Sequence, residues 1–121
     1  MENLPSNVQH QISQFQQTQQ RAQALANQKR QLEVNLKETE QALEELKKLD
    51  EDSTIYKSVG GIMAETDSAD AKDELEDKKE TLNLRVKTVE RQQERINDKL
   101  EKMRAKIQDA LRGQQSPADA A

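Results

Sequence analysis

The 121-residue sequence predicts a mainly α fold: a long antiparallel two-helix coiled coil with one central β-hairpin. Three observations carry this. Ala, Glu, Lys, Leu and Arg supply 57 residues, 47% of the chain, the composition of long helices and coiled coils. The only prolines and glycines are Pro5, Gly60, Gly61, Gly113 and Pro117, so helix breakers divide the chain into two uninterrupted arms of nearly equal length. Each arm carries five or six heptads of apolar residues. The same composition argues against a compact globule. Leu, Ile, Val and Phe total 23 residues, 19%, against 35% charged residues, which is too little apolar area for a private two-layer core.

After a short N-terminal end (residues 1–5), the first helix is expected over 6–49. One seam row is Val8, Phe15, Ala22, Lys29, Leu36 and Leu43; the row offset by three is Leu4, Gln11, Thr18, Leu25, Leu32, Thr39 and Leu46. Ile12 and Leu49 widen the stripe at its two ends. Gln11 and Thr18 interrupt it and should loosen the local packing. Residues 50–68 form a linker holding a hairpin. The β-branched and aromatic run 54–59 and the run 62–66 flank Gly60-Gly61, a two-residue hairpin loop. That loop pairs Val59 with Ile62, Lys57 with Ala64, and Ile55 with Thr66. Ile55, Val59, Ile62 and Ala64 then share one face, and Tyr56, Ser58, Met63 and Glu65 the other. A slip of one residue would exchange the faces.

The second helix is expected over 69–112. Asp67 or Ser68 serves as its N-cap, and Asp70, Asp73 and Glu74 complement the positive end of its dipole. Its seam rows are Leu75, Leu82, Val89, Ile96, Met103 and Ala110, and Lys79, Val86, Gln93, Leu100 and Ile107. Leu84 and Leu111 lie beside them. The i,i+4 pairs Glu33–Lys37, Glu44–Lys48 and Glu74–Lys78 each add a few tenths of a kcal/mol. Gly113 is a natural stop, and residues 113–121 read as a flexible tail. Folding the arms back on each other brings Leu46 near Leu75, Phe15 near Met103, and Val8 near Leu111.

Several function classes drop out. No apolar run approaches the ~20 residues that span a bilayer, and residues 1–10 lack the basic and apolar regions of a signal peptide, so a cytoplasmic protein without membrane contact is expected. Without cysteine there is no disulfide, thiol nucleophile or zinc–cysteine cluster. The carboxylates at Glu44-Glu45 and Asp50-Glu51-Asp52 lack a metal-ligand set, His10 stands alone in a polar stretch, and Gly60-Gly61 is no phosphate loop. No nucleophile–base pair is visible, so neither an enzyme nor a cofactor is expected. Asp and Glu (23) outnumber Lys and Arg (19), which speaks against a nucleic-acid-binding coiled-coil arm.

A lone two-stranded hairpin is marginal in water, and its open edges and apolar face call for assembly with further hairpins. Ile55, Tyr56, Val59, Gly60, Gly61, Ile62, Met63 and Ala64 are therefore the oligomerisation candidates. Lys57, on the apolar face, either pairs across a subunit boundary or extends its stem along the surface. A structural coiled-coil adaptor would use the same heptads but needs no strand-Gly-Gly-strand insert.

The order of blocks is distinctive: a Gln-rich start (Asn7-Val8-Gln9-His10-Gln11, Phe15-Gln16-Gln17), then Ile55-Tyr56-Lys57-Ser58-Val59-Gly60-Gly61-Ile62-Met63, Lys79-Glu80-Thr81-Leu82 and Val89-Glu90-Arg91-Gln92-Gln93-Glu94. Over nearly the whole chain it resembles the β class of the prefoldin family, archaeal members especially. The room for one hairpin, not two, fits that class. The resemblance implies an ATP-independent co-chaperone subunit in a hexamer of two α and four β subunits. It implies α-class and other β subunits as partners, non-native proteins as clients captured at the coil tips, and a group II chaperonin as the recipient. The tips would be the chain ends. From Asn3 to Gln20 there is no charged residue, which lowers the cost of approach by an unfolded chain. Leu4, Val8, Ile12, Phe15, Met103, Ile107 and Leu111 are the client-binding candidates. Most of them occupy seam positions and serve equally well to close the coil; Ile12 and Leu111 lie off the strict seam.

Overall fold

The computed structural model describes the backbone of residues 4–120 and the side chains of residues 4–113. Four elements follow in order: α1 (Ser6–Lys48), β1 (Ile55–Val59), β2 (Ile62–Thr66) and α2 (Ser68–Ala120). They fall into two compact units. One, here the terminal unit, joins Met1–Gln28 to Val89–Ala121; the other, the hairpin unit, is Lys29–Thr88.

The terminal unit opens at Pro5, whose carbonyl accepts the amides of Val8 and Gln9, each at 3.1 Å. Its fixed φ and missing donor suit a helix start. The α1 seam positions of this unit (Val8, Gln11, Phe15, Thr18, Ala22 and Leu25) are all buried or half-buried. So are Val89, Gln93, Ile96, Leu100, Met103, Ile107 and Ala110 of α2. A residue every three and four positions faces inward on both segments, as coiled-coil packing requires. Thr18 sits there at no hydrogen-bonding cost: its hydroxyl donates to the Gln14 carbonyl at 2.9 Å. Thr18 is 6% exposed, at a position where the sequence suggested looser packing.

The expected stop at Gly113 is also absent, and α2 continues to Ala120. A glycine ends a helix by entering the left-handed region, and Gly113 does not; among the described residues only Gly60 and Gly61 have positive φ. Within a helix it costs only about 1 kcal/mol relative to Ala. Residues 1–3 of the expected N-terminal end, and Ala121, lie outside the described residues.

In the hairpin unit the seam is sealed more tightly: Leu32, Leu43, Leu46 and Leu82 are buried. Thr39 joins them, its hydroxyl bonded to the Asn35 carbonyl at 2.9 Å. The strands form a two-stranded antiparallel sheet in the expected register, from Ile55 opposite Thr66 to Val59 opposite Ile62. Gly60 and Gly61 have φ of 55° and 86°. Two successive positive φ values define the primed hairpin turn whose twist matches the strands, and glycine adopts them without a Cβ penalty. Asp67 caps α2: its carboxylate accepts the Asp70 amide at 2.8 Å and its carbonyl the Ala71 amide at 3.0 Å.

Candidate functional site

Two surfaces stand out, one in each unit. The first is the hairpin. Near its base, Ile55, Ala64 and Thr66 are half-buried; toward the turn and on the opposite face nothing covers it. Tyr56, Val59, Ile62 and Met63 are 53–70% exposed, the largest apolar concentration on the described surface. The two outer edges carry unpaired amides and carbonyls, since the sheet ends at two strands. Of the oligomerisation candidates, Tyr56, Val59, Gly60, Gly61, Ile62 and Met63 are exposed, whereas Ile55 and Ala64 turn partly inward.

Lys57 pairs within the chain. Its ammonium donates to a Glu74 carboxylate oxygen at 2.9 Å, joining β1 to the second turn of α2. That hydrogen bond and the Glu74 charge raise the Lys57 pKa above its ordinary 10.5. Glu74 is thereby drawn to the hairpin instead of its helical neighbour Lys78, and Glu44 pairs with Lys47, not Lys48, at 3.4 Å. The Asp67 charge, close to Asp70, raises the Asp70 carboxyl above its ordinary value. Beneath the hairpin base lies a cavity of about 320 Å³, with Leu46, Leu49, Ile55 and Leu75 among its walls. Leu46 and Leu75 thus meet across one space, as equidistance from the turn requires.

The second surface belongs to the terminal unit. Leu4, Ile12, Phe15, Met103, Ile107 and Leu111 are half-buried, while Val8 is only 2% exposed and closes the coil in this conformation. The Arg104 guanidinium stands over the Phe15 ring, 5.9 Å from its centroid, a cation–π placement that puts Phe15 beside the Met103 region. Next to these residues runs an open groove of about 570 Å³. Gln11 and Gln14 form its α1 wall. Met103 and the cations Arg95, Lys99, Lys102 and Lys106, with the single carboxylate Asp98, form its α2 wall. Gln11 Oε1 is buried with no hydrogen-bond partner. The cationic row was not anticipated from the heptads, although its spacing of four, three and four residues places it on one helix face.

Among the described residues there is no group of three or more His, Cys, Asp or Glu placed to hold a metal, and no helix is long and apolar enough to cross a membrane.

Comparison with known proteins agrees with this architecture. The sequence model of the family described as "Prefoldin subunit" matches residues 9–114. The chain is 44% identical over 108 residues to a prefoldin subunit beta of Methanosarcina acetivorans, covering 89% of this chain and 92% of that one. It is 42% identical over 111 residues to the Archaeoglobus fulgidus counterpart, covering 92% and 96% respectively. The crystal structure of the prefoldin beta subunit from Thermococcus strain KS-1 superposes with a TM-score of 0.83 at 38% identity, over 93% of this chain and 98% of that one. Two long helices around a single hairpin, and this likeness along nearly the whole length, place the chain in the prefoldin family, among its β subunits.

Proposed function

We propose that this co-chaperone family member works as an ATP-independent, non-enzymatic holdase subunit in the cytoplasm. It assembles through its hairpin with α-class subunits and with further copies of itself, two α to four β. The coil ends capture non-native proteins and pass them to a group II chaperonin. The observation that carries the reading is the exposed hairpin. Tyr56, Val59, Ile62 and Met63 lie 53–70% exposed on a sheet with two open edges. Apolar surface and unpaired backbone of this kind are stable in water once other strands cover them. Client capture is supported by the charge-free stretch from Asn3 to Gln20 beside the half-buried Leu4, Ile12, Phe15, Met103, Ile107 and Leu111. These side chains need only a small opening of the coil to meet an unfolded chain, whereas Val8 needs a larger one.

The test is suppression of aggregation of a denatured client by the complex co-expressed with an α-class subunit. Removing residues 1–12 and 108–121 should abolish suppression while the complex remains assembled. Full suppression by the trimmed complex contradicts capture at the coil ends.

A further inference from the structure

The groove of the terminal unit has a chemistry that coil closure does not require. Arg95, Lys99, Lys102 and Lys106 line it against one carboxylate, Asp98, and the α1 wall opposite is uncharged. The lysine stems and Met103 offer apolar contact beneath the cationic heads. Gln11, which lines the groove, holds its Oε1 buried and unpartnered. Such an orphan is costly to keep, and once the amide turns into the groove a donor from a bound molecule would relieve it.

An extended polypeptide supplies both kinds of complement: backbone N–H donors for Gln11, and side-chain carboxylates for the cationic row. A nucleic acid would match the cations but find no stacking platform. The chain has no Trp, and its one Phe lies under Arg104.

We propose that this groove binds extended polypeptide segments rich in Asp and Glu, so that the chain captures acidic non-native proteins in preference to basic ones. The inference rests on the client-capture reading and assigns it a charge class.

The experiment uses the full chain and three fluorescent, unstructured peptides of equal length. In each, Leu and Ser are interspersed with Glu, Gln or Lys, and binding is read by anisotropy. The Glu peptide should bind about tenfold more tightly than the Lys peptide, the combined effect of a few exposed ion pairs. The preference should shrink at high salt. Lys99→Gln, Lys102→Gln and Lys106→Gln together should bring the Glu-to-Lys ratio toward one, and the corresponding Glu substitutions should invert it. Gln11→Leu should weaken the Glu and Lys peptides by the same few-fold factor, because it removes a backbone acceptor and no charge.

Equal binding of the Glu and Lys peptides, or a preference that survives neutralisation, overturns the assignment. So does a single-stranded oligouridylate that displaces the Glu peptide at equal concentration, since that marks a general polyanion surface. If the Gln peptide also fails to bind and no aggregation is suppressed, client capture itself fails. If the Gln peptide binds and Glu adds nothing, the groove assignment alone fails.

Discussion

The hairpin unit and the terminal unit are built from the same two helices, yet they handle apolar surface in opposite ways. In the hairpin unit the coil is the more closed: Leu32, Leu43, Leu46 and Leu82 are buried, with Thr39 satisfied among them, beside half-buried Leu36, Leu75 and Val86, and most of the large exposed apolar side chains are on the strands. Among the described residues of the terminal unit only Val8 and Val89 are buried apolar residues, and the remaining apolar seam positions are half-exposed. Charge divides the same way. The hairpin unit carries eleven Lys and Arg against sixteen Asp and Glu, net −5; the terminal unit carries eight against seven, net +1. A heptad pattern therefore does not by itself say what a coil is for. A tightly sealed, acidic coil supports an element that must meet other subunits. A loosely sealed coil with one charge-free wall keeps its apolar side chains half-exposed.

The largest expected effect breaks this contrast at the hairpin. Ile62→Asp combined with Met63→Asp puts charge on the two most exposed apolar side chains of the strands, so the complex with α-class subunits should fall apart while the isolated helices keep their circular dichroism. Light scattering reads the loss of mass. Next, Leu43→Ala or Leu82→Ala should each cost about 2–4 kcal/mol in denaturant unfolding of the assembled protein, because a closed seam cannot collapse onto the void. Half-buried Ile107→Ala in the terminal unit should cost about 1–2 kcal/mol. Equal costs would mean that the two coils are sealed alike.

A smaller effect separates the two polar seam residues of the terminal unit. Gln11→Leu removes the orphaned oxygen and should stabilise the protein by about 1 kcal/mol. Thr18→Val should change little, since the hydroxyl it removes was internally bonded.

The smallest effect concerns the Lys57–Glu74 link. Lys57 has its folded pKa raised above 10.5, so the stability it contributes is fully present below that value and is lost as pH rises through the folded pKa. Glu74→Gln should lessen the loss of thermal stability that sets in as pH rises above 10.5, with little change near neutrality.

Much of this was legible in the sequence, for physical reasons that differ by element. The helix seams were readable because a repeat of seven leaves little choice about which residues face inward. The strand register was readable because Gly60-Gly61 admits a two-residue turn, and the turn fixes every pair that follows it. What escaped depends on geometry that spacing does not encode. Gly113 punctuates a helix only if it turns left-handed, which is a matter of backbone energy and not of identity. Lys57 read as pairing across a subunit boundary or lying along the surface, and its pair with Glu74, seventeen residues away, was not among those options. Gln11 and Thr18 look equivalent as seam interruptions, but a threonine hydroxyl reaches its own helix carbonyl and a longer amide does not. The cationic row from Arg95 to Lys106 became a groove wall only once the uncharged face of α1 stood beside it.

The hairpin's apolar surface is suited to being covered by other subunits. The most direct test is the native mass of the full chain, alone and co-expressed with an α-class subunit. A discrete hetero-oligomer containing several copies of this chain is expected, lost in the Ile62→Asp, Met63→Asp variant. A persistent 13.8 kDa monomer in the presence of the α-class subunit would contradict it.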